Sequence, residues 1–325
     1  MFLEIKSKKI IGFLEGFASL LGTDIKNGRI NIPEDKGYGY IRFNKPNSKM
    51  RILIGNYKLN EELIILQQAP SQLNDLVILG FYNVFQSKEE KVFRNIEEKM
   101  PLPYLQIGTE NFGRKILVPK NTHISSIMIV VDVPHLKELL HEDESHLLIK
   151  DILSSNSQPV LLEACISPYI QKIATELVET DLPKNLQNFY SKVKAEELIC
   201  MFFAELMKRE NAHIRALHKE DVEKIYEIKN KMLMHLNSPP ILSELALLAG
   251  MSKSKFKRLF KQILGSSIFN YYQNFRMQEA ASLLKNKGLA VAEVGHKMGF
   301  TNLSHFSRVF EKHIGLKPKK YSVMG

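Results

Sequence analysis

The last quarter of this 325-residue chain contains itself twice. Phe256-Lys257-Arg258-Leu259-Phe260, followed by Gly265, recurs as Phe306-Ser307-Arg308-Val309-Phe310, followed by Gly315, at an offset of 50. Upstream, Glu244-Leu245-Ala246 and Gly250 recur as Glu293-Val294-Gly295 and Gly299 at an offset of 49. The one-residue slip falls between Gly250 and Phe256. A turn tolerates such a slip and a continuous helix does not. Each copy therefore reads as a helix, a tight turn and a second helix, the helix-turn-helix pattern.

Local chemistry sets the boundaries. Ser243 can cap a short helix over 244–249, and Gly250 can leave it with positive φ at little cost. Ser252 or Ser254 can cap the next helix by accepting a backbone N–H bond. In the second copy Gly299 ends the first helix, and Thr301 or Asn302 starts the second. At about 100° per residue, Phe260 and Ile263 fall within about 40° of Phe256 and form a buried stripe. Ser254, Lys257, Arg258 and Lys261 fall on the opposite face. By the same count Leu303, Phe306 and Phe310 are buried, while Ser304, Ser307, Arg308 and Glu311 point outward. The four phenylalanines are core residues rather than stacking platforms. A long apolar-periodic segment, 267–285, joins the copies without Pro or Gly. As a helix its 19 residues reach about 28 Å, close to the roughly 34 Å of one DNA turn. The two second helices could thus enter successive major grooves, with the duplex bending if they sit slightly closer than one turn.

The charge agrees with this reading. The chain carries a net charge of +10, yet residues 241–325 hold 14 Lys and Arg against 4 Asp and Glu. The remaining 240 residues hold 31 of each sign. A basic block on a neutral protein is the footprint of a polyanion, nucleic acid first and an anionic membrane surface second. The polar exposed faces of the repeated helices oppose the membrane. Composition, at 44% hydrophobic and 25% charged, excludes a disordered or collagenous chain. Two cysteines, Cys165 and Cys200, exclude a cystine framework or a zinc site of paired Cys-x-x-Cys. Both lie in apolar runs and read as inert core thiols. Apolar runs are too short to span a membrane, and Glu15 interrupts the one at 10–14, so a cytoplasmic location is expected.

At this point the segment from Ile225 to Tyr321 resembles the DNA-binding domain of the AraC/XylS transcription regulators. The matching residues are Leu245-Ala246 with Gly250-Met251-Ser252, Phe256, Arg258 and Phe260-Lys261, and Arg276-Met277 with Ala280 and Leu283-Leu284. They continue with Met298-Gly299-Phe300, Phe306-Ser307-Arg308, Phe310, Gly315, Pro318 and Tyr321. One departure is Gly295, where the family usually has Ala, at up to about 1 kcal/mol of helix stability. The resemblance implies two helix-turn-helix units, 243–264 and 291–314, joined by a helix over 267–286 and binding a promoter as one body. Base contacts carried over by position fall on Ser254, Lys257 and Arg258, then on Leu303, Ser304, Ser307 and Arg308. Lys261 joins them from the exposed face. Lys253, Lys255, Lys317, Lys319 and Lys320 are phosphate contacts or merely solubilising. The implied partners are double-stranded DNA, RNA polymerase recruited by an activator, a small effector and a second copy of the chain.

The first 159 residues are strand-rich. Short apolar or alternating runs at 38–43, 51–54, 63–67, 76–82, 104–107, 114–118 and 127–133 suggest a barrel or a sandwich. The resemblance favours a cupin-like barrel that binds the effector, with α+β multidomain organisation overall. The usual His-x-His with a following Glu of a metal cupin is absent. His123 stands alone, and His135, His141 and His146, beside Glu142-Asp143-Glu144, read as surface residues. Residues 160–236 turn helical. An apolar run over 186–209 either packs on the barrel or pairs with a partner subunit, so 160–224 is a helical connector and 225–325 the DNA-binding domain. Two alternatives of another class are a barrel enzyme with a basic tail and a methyl-accepting DNA repair protein. The missing metal triad and the apolar cysteine settings weigh against both, and neither a cofactor nor a metal is expected.

Overall fold

The computed structural model describes residues 1–5, 10–67, 76–85, 103–109, 114–141, 146–154, 161–209, 217–286 and 288–323. The chain divides into two units, one ending before Leu217 and the other running from there to the C-terminus.

In the first unit, strands β2 (Arg29–Asn31), β3 (Gly37–Asn44), β4 (Met50–Leu59), β6 (Leu76–Tyr82), β7 (Tyr104–Thr109), β9 (His123–Asp132) and β10 (Leu161–Cys165) form an antiparallel sheet. Its spatial order is β10-β7-β6-β9-β4-β3-β2. Strands β1 (Phe2–Ile5), β5 (Leu63–Gln67) and β8 (Arg114–Val118) make a second sheet in which β1 runs parallel to β5. The central strand β4 shows why its sequence lacks a simple alternation. Met50, Ile52 and Ile54 enter one core, while Leu53, Tyr57 and Leu59 enter another on the opposite face. A strand buried on both faces reads as a continuous apolar run.

The first core is closed by helices: α2 (Val133–Leu139), α3 (Leu147–Leu153), α4 (Pro168–Glu179) and α5 (Lys184–Met207). The second is closed by α1 (Ile10–Leu21) and the three-stranded sheet. No closed barrel forms among the described strands, so the sheet-rich first unit carries the expectation only in its coarser form. The described strands form two open sheets, with β10 and β2 at opposite ends of the larger one. Helices cover one face of the larger sheet, and the three-stranded sheet with α1 covers the other. Other expectations change with it. Leu161–Cys165 is a strand paired with β7, not the start of a helical region. Cys200 is exposed rather than a core thiol. On α5 the buried side is carried by Leu198, Ile199, Phe202 and Phe203, and Cys200 lies about 100° or more from the first three of these. His135 and His146 are buried rather than on the surface, while His141 is exposed. His135 Nδ1 lies 3.1 Å from Glu138 Oε2, one turn along α2. Residues 142–144 lie outside the described residues.

The second unit is helical: α6 (Lys219–Met234), α7 (Leu242–Leu248), α8 (Lys253–Leu264), α9 (Ile268–Asn286), α10 (Val291–Lys297), α11 (Leu303–Ile314) and α12 (Pro318–Val323). The long α9 serves both repeats. Near its N-terminus, Tyr271 meets Phe260 edge-on at 5.5 Å and stacks on Phe275 at 4.6 Å. Toward its C-terminus, Met277, Ala280, Leu283 and Leu284 pack with Val294, Phe306 and Phe310. The expected 19-residue joining helix thus exists, beginning one residue later than expected with Ser267 Oγ accepting from the Asn270 amide. Among the described residues no helix is long and apolar enough to cross a membrane.

Candidate nucleic-acid interface

The site is built from two short amphipathic helices, α8 and α11, each started by a polar cap and aimed by a tight turn. Before α8, Gly250 takes φ +64°, and before α11, Gly299 takes φ +73°. These values suit glycine. Ser252 caps α8 by accepting from the Lys255 amide, and Asn302 caps α11 by accepting from the His305 amide. These are one of the two alternatives expected in each case. Ser243 does not cap α7: the helix begins at Leu242, after Ile241, whose side chain makes no cap bond. Both second helices end at a left-handed glycine, Gly265 at φ +77° and Gly315 at φ +87°.

The buried stripe holds in both. Phe256, Phe260 and Ile263 are inaccessible, as are Phe306 and Phe310. Opposite them Ser254, Lys257, Arg258 and Lys261 are exposed on α8. On α11, Ser304 and Arg308 are exposed, while Leu303 and Ser307 are half-buried. Arg258 and Arg308 form no ion pair among the described residues, so Glu311 does not capture Arg308. Both guanidiniums keep their donor forks for a ligand. A protruding helix bearing Arg and small polar residues fits the major groove, where Arg can bond guanine O6 and N7 together.

The lysines divide. Lys253, Lys317, Lys319 and Lys320 are exposed. Lys255 Nζ instead lies 2.9 Å from both carboxylate oxygens of Asp221, a mostly buried residue of α6. That pair ties α8 to α6, giving Lys255 a partner at a place where sequence offered only its charge.

Gly295 acquires a physical reason. A Cβ there would lie 2.7 Å from Leu303 Cδ2 and 3.2 Å from Phe306 Cδ1. The missing methyl lets Leu303 fold back under α10, which is why Leu303 is half-buried rather than presented outward. In the first repeat Ala246 occupies the equivalent place and is buried.

Three residues of the interior escaped the sequence reading of the site. Arg276 is 4% exposed and donates from Nε to the Met298 carbonyl at 2.7 Å. Tyr272 Oη donates to the Leu236 carbonyl at 2.8 Å. Burial pushes the tyrosine up and the arginine down from their ordinary values. His313 bonds Asn274 through Nδ1, and burial, with a smaller contribution from Lys312, holds it below its ordinary value near 6.5. A polar side chain within an apolar-periodic helix was the available signal for Arg276.

Known proteins are similar to this part of the chain. A helix-turn-helix domain family matches residues 245–323. The transcriptional regulator GbdR of Pseudomonas aeruginosa is 32% identical over 123 residues, covering 37% of this chain and 34% of that protein. The arabinose operon regulatory protein of Escherichia coli is 30% identical over 117 residues, covering 36% of this chain and 40% of that protein. The chain thus spans little more than a third of the length of these relatives. Among solved structures, the DNA-binding domain of the global transcriptional factor AdpA, in complex with a target DNA, is 27% identical. It covers 31% of this chain and 91% of its own, with a TM-score of 0.30. The C-terminal quarter of the chain thus carries an AraC-type helix-turn-helix domain, similar to those of these regulators.

Proposed function

We propose that the chain is a sequence-specific DNA-binding transcription regulator working in the cytoplasm. α8 and α11 read bases through Ser254, Lys257, Arg258 and Lys261, and through Leu303, Ser304, Ser307 and Arg308. Lys253, Lys317, Lys319 and Lys320 anchor phosphates, which fixes register without reading sequence. The observation that carries the reading is the matched pair of capped helices on one shared α9, each with an exposed arginine opposite a phenylalanine core. Selection of bound duplexes from a random pool tests it. The intact chain enriches a bipartite sequence, and Arg258→Ala relaxes one part of it. An unchanged sequence with Arg258→Ala would remove Arg258 from the readers.

The wider roles follow the family likeness. The regulator acts as an activator that recruits RNA polymerase, and the first unit takes up a small effector, which thermal-shift screening of the full chain would reveal. A second copy docks on α5, where Leu186, Phe189 and Val193 are exposed at spacings of three and four. Such spacing gives one stripe along a helix. Sedimentation of the wild type and of Phe189→Glu tests this, a dimer lost in the variant being the expected result.

A further inference from the structure

One turn of α9 grips two pieces of chain at once. Tyr272 and Arg276 are four residues apart and share a face of the helix. Tyr272 holds the Leu236 carbonyl in the connector that leads into the first repeat. Arg276 holds the Met298 carbonyl, at the C-terminal end of α10, through Nε and through a terminal guanidinium nitrogen. Its guanidinium carbon lies 3.8 Å from the centre of the Phe300 ring and 5.6 Å from that of Tyr272. Between these anchors the Asn237 carbonyl packs against Gly299 so closely that any Cβ at 299 would collide with it. The connector before the first repeat and the turn inside the second are thereby fixed to each other.

The apolar contacts of α9 with Phe306 and Phe310 hold the second repeat on the helix, but apolar burial is non-directional. A planar guanidinium bonded to one carbonyl and sandwiched by rings sets a direction. A helix C-terminus also favours a cation there. No carboxylate pairs with Arg276 among the described residues, so its charge rests wholly on this carbonyl and these rings.

We propose that Arg276 and Tyr272 are positioning residues that fix the phase between the two reading helices, so that the domain recognises duplex DNA with its half-sites at one spacing only. This rests on the DNA-binding reading above. The test uses the full chain and the bipartite site it selects, remade with one base pair removed or added between the halves. The wild type prefers the selected spacing by about tenfold. Arg276→Lys, which keeps the charge and loses the fork, brings the three duplexes within about threefold of one another, and so does Tyr272→Phe. Binding to the half-site of the first repeat alone stays within about twofold. Tyr272→Phe removes a single oxygen, so it decides the matter if Arg276→Lys does not hold its fold by circular dichroism. The proposal is overturned by a spacing preference as steep in the variants as in the wild type, by a loss equal at all three spacings, or by a wild type indifferent to spacing. A wild type that selects no sequence at all removes the DNA-binding reading itself.

Discussion

The two repeats share one backbone plan and differ in what they present. α8 carries Lys253, Lys255, Lys257, Arg258 and Lys261 with no acidic residue, whereas α11 carries Arg308 and Lys312 against Glu311. The first repeat has Ala246 in its leading helix and a serine cap, and the second has Gly295 and an asparagine cap. The first is therefore suited to pull a polyanion in, and the second to fit against it with little help from charge. A duplicated fold can divide attraction and fit between its halves because the buried phenylalanines maintain the plan in both, leaving the outer face free to differ.

The comparison breaks most visibly in the core. Phe260→Ala and Phe310→Ala should each lower unfolding free energy by about 3–5 kcal/mol. If the repeats are equivalent as scaffolds, denaturant titration gives similar losses. A near-neutral Phe310→Ala would mean that the second repeat is not built on this ring. On the outer faces, Arg258→Ala and Arg308→Ala should each cost about 1–3 kcal/mol of specific binding and relax different halves of the selected site. Relaxation of the same half by both would break the assignment of one arginine to each half.

Charge gives the next contrast. Lys257→Ala should flatten the dependence of log affinity on log salt by about one unit, as should Lys319→Ala at most. Lys255→Ala should change that slope less, because Asp221 already holds its ammonium. Equal slopes for Lys255→Ala and Lys257→Ala would place both on phosphates. Smaller still is the exchange of the small residues. Ala246→Gly should cost about 1 kcal/mol. Gly295→Ala should return less than about 1 kcal/mol, because Leu303 must give way to the new methyl. Thermal melts of the two variants separate these cases, and a full gain at Gly295 would show that Leu303 moves freely.

The faintest effect is in pH. His313 is held below its ordinary value when folded, so the unfolded chain binds its proton first as pH falls. Stability is then full above about 6.5 and declines below it, toward the lower folded value. His313→Gln should flatten that part of the stability–pH curve. A curve of unchanged slope would remove His313 from the account.

What was legible in the sequence follows from range. In the second unit the signals are local: a glycine at positive φ, a cap three residues before the amide it satisfies, a stripe every three to four residues. They placed α8, α9 and α11 within a residue or so and sorted Lys257 and Arg258 from Phe256 and Phe260. The bonds that reach across the fold left no local trace of their partners, so Lys255 with Asp221 and Arg276 with Met298 emerge only in the structure. In the first unit the strands were visible as short runs, but β4 faces two cores and its length was masked by that. Whether strands close into a barrel depends on which partner each edge finds. The helices that cover this sheet are distant in sequence from some of its strands: Phe202 of α5 meets Phe81 of β6 edge-on.

The central claim is that α8 and α11 enter neighbouring major grooves on one side of a duplex. Methylation interference at guanine N7, on a site selected by the full chain, tests it most directly, since that atom lies in the major groove. The account predicts two clusters of interfering guanines, about 10 base pairs apart, one lost with Arg258→Ala and the other with Arg308→Ala. A single cluster, or two clusters on opposite faces of the duplex, would contradict it.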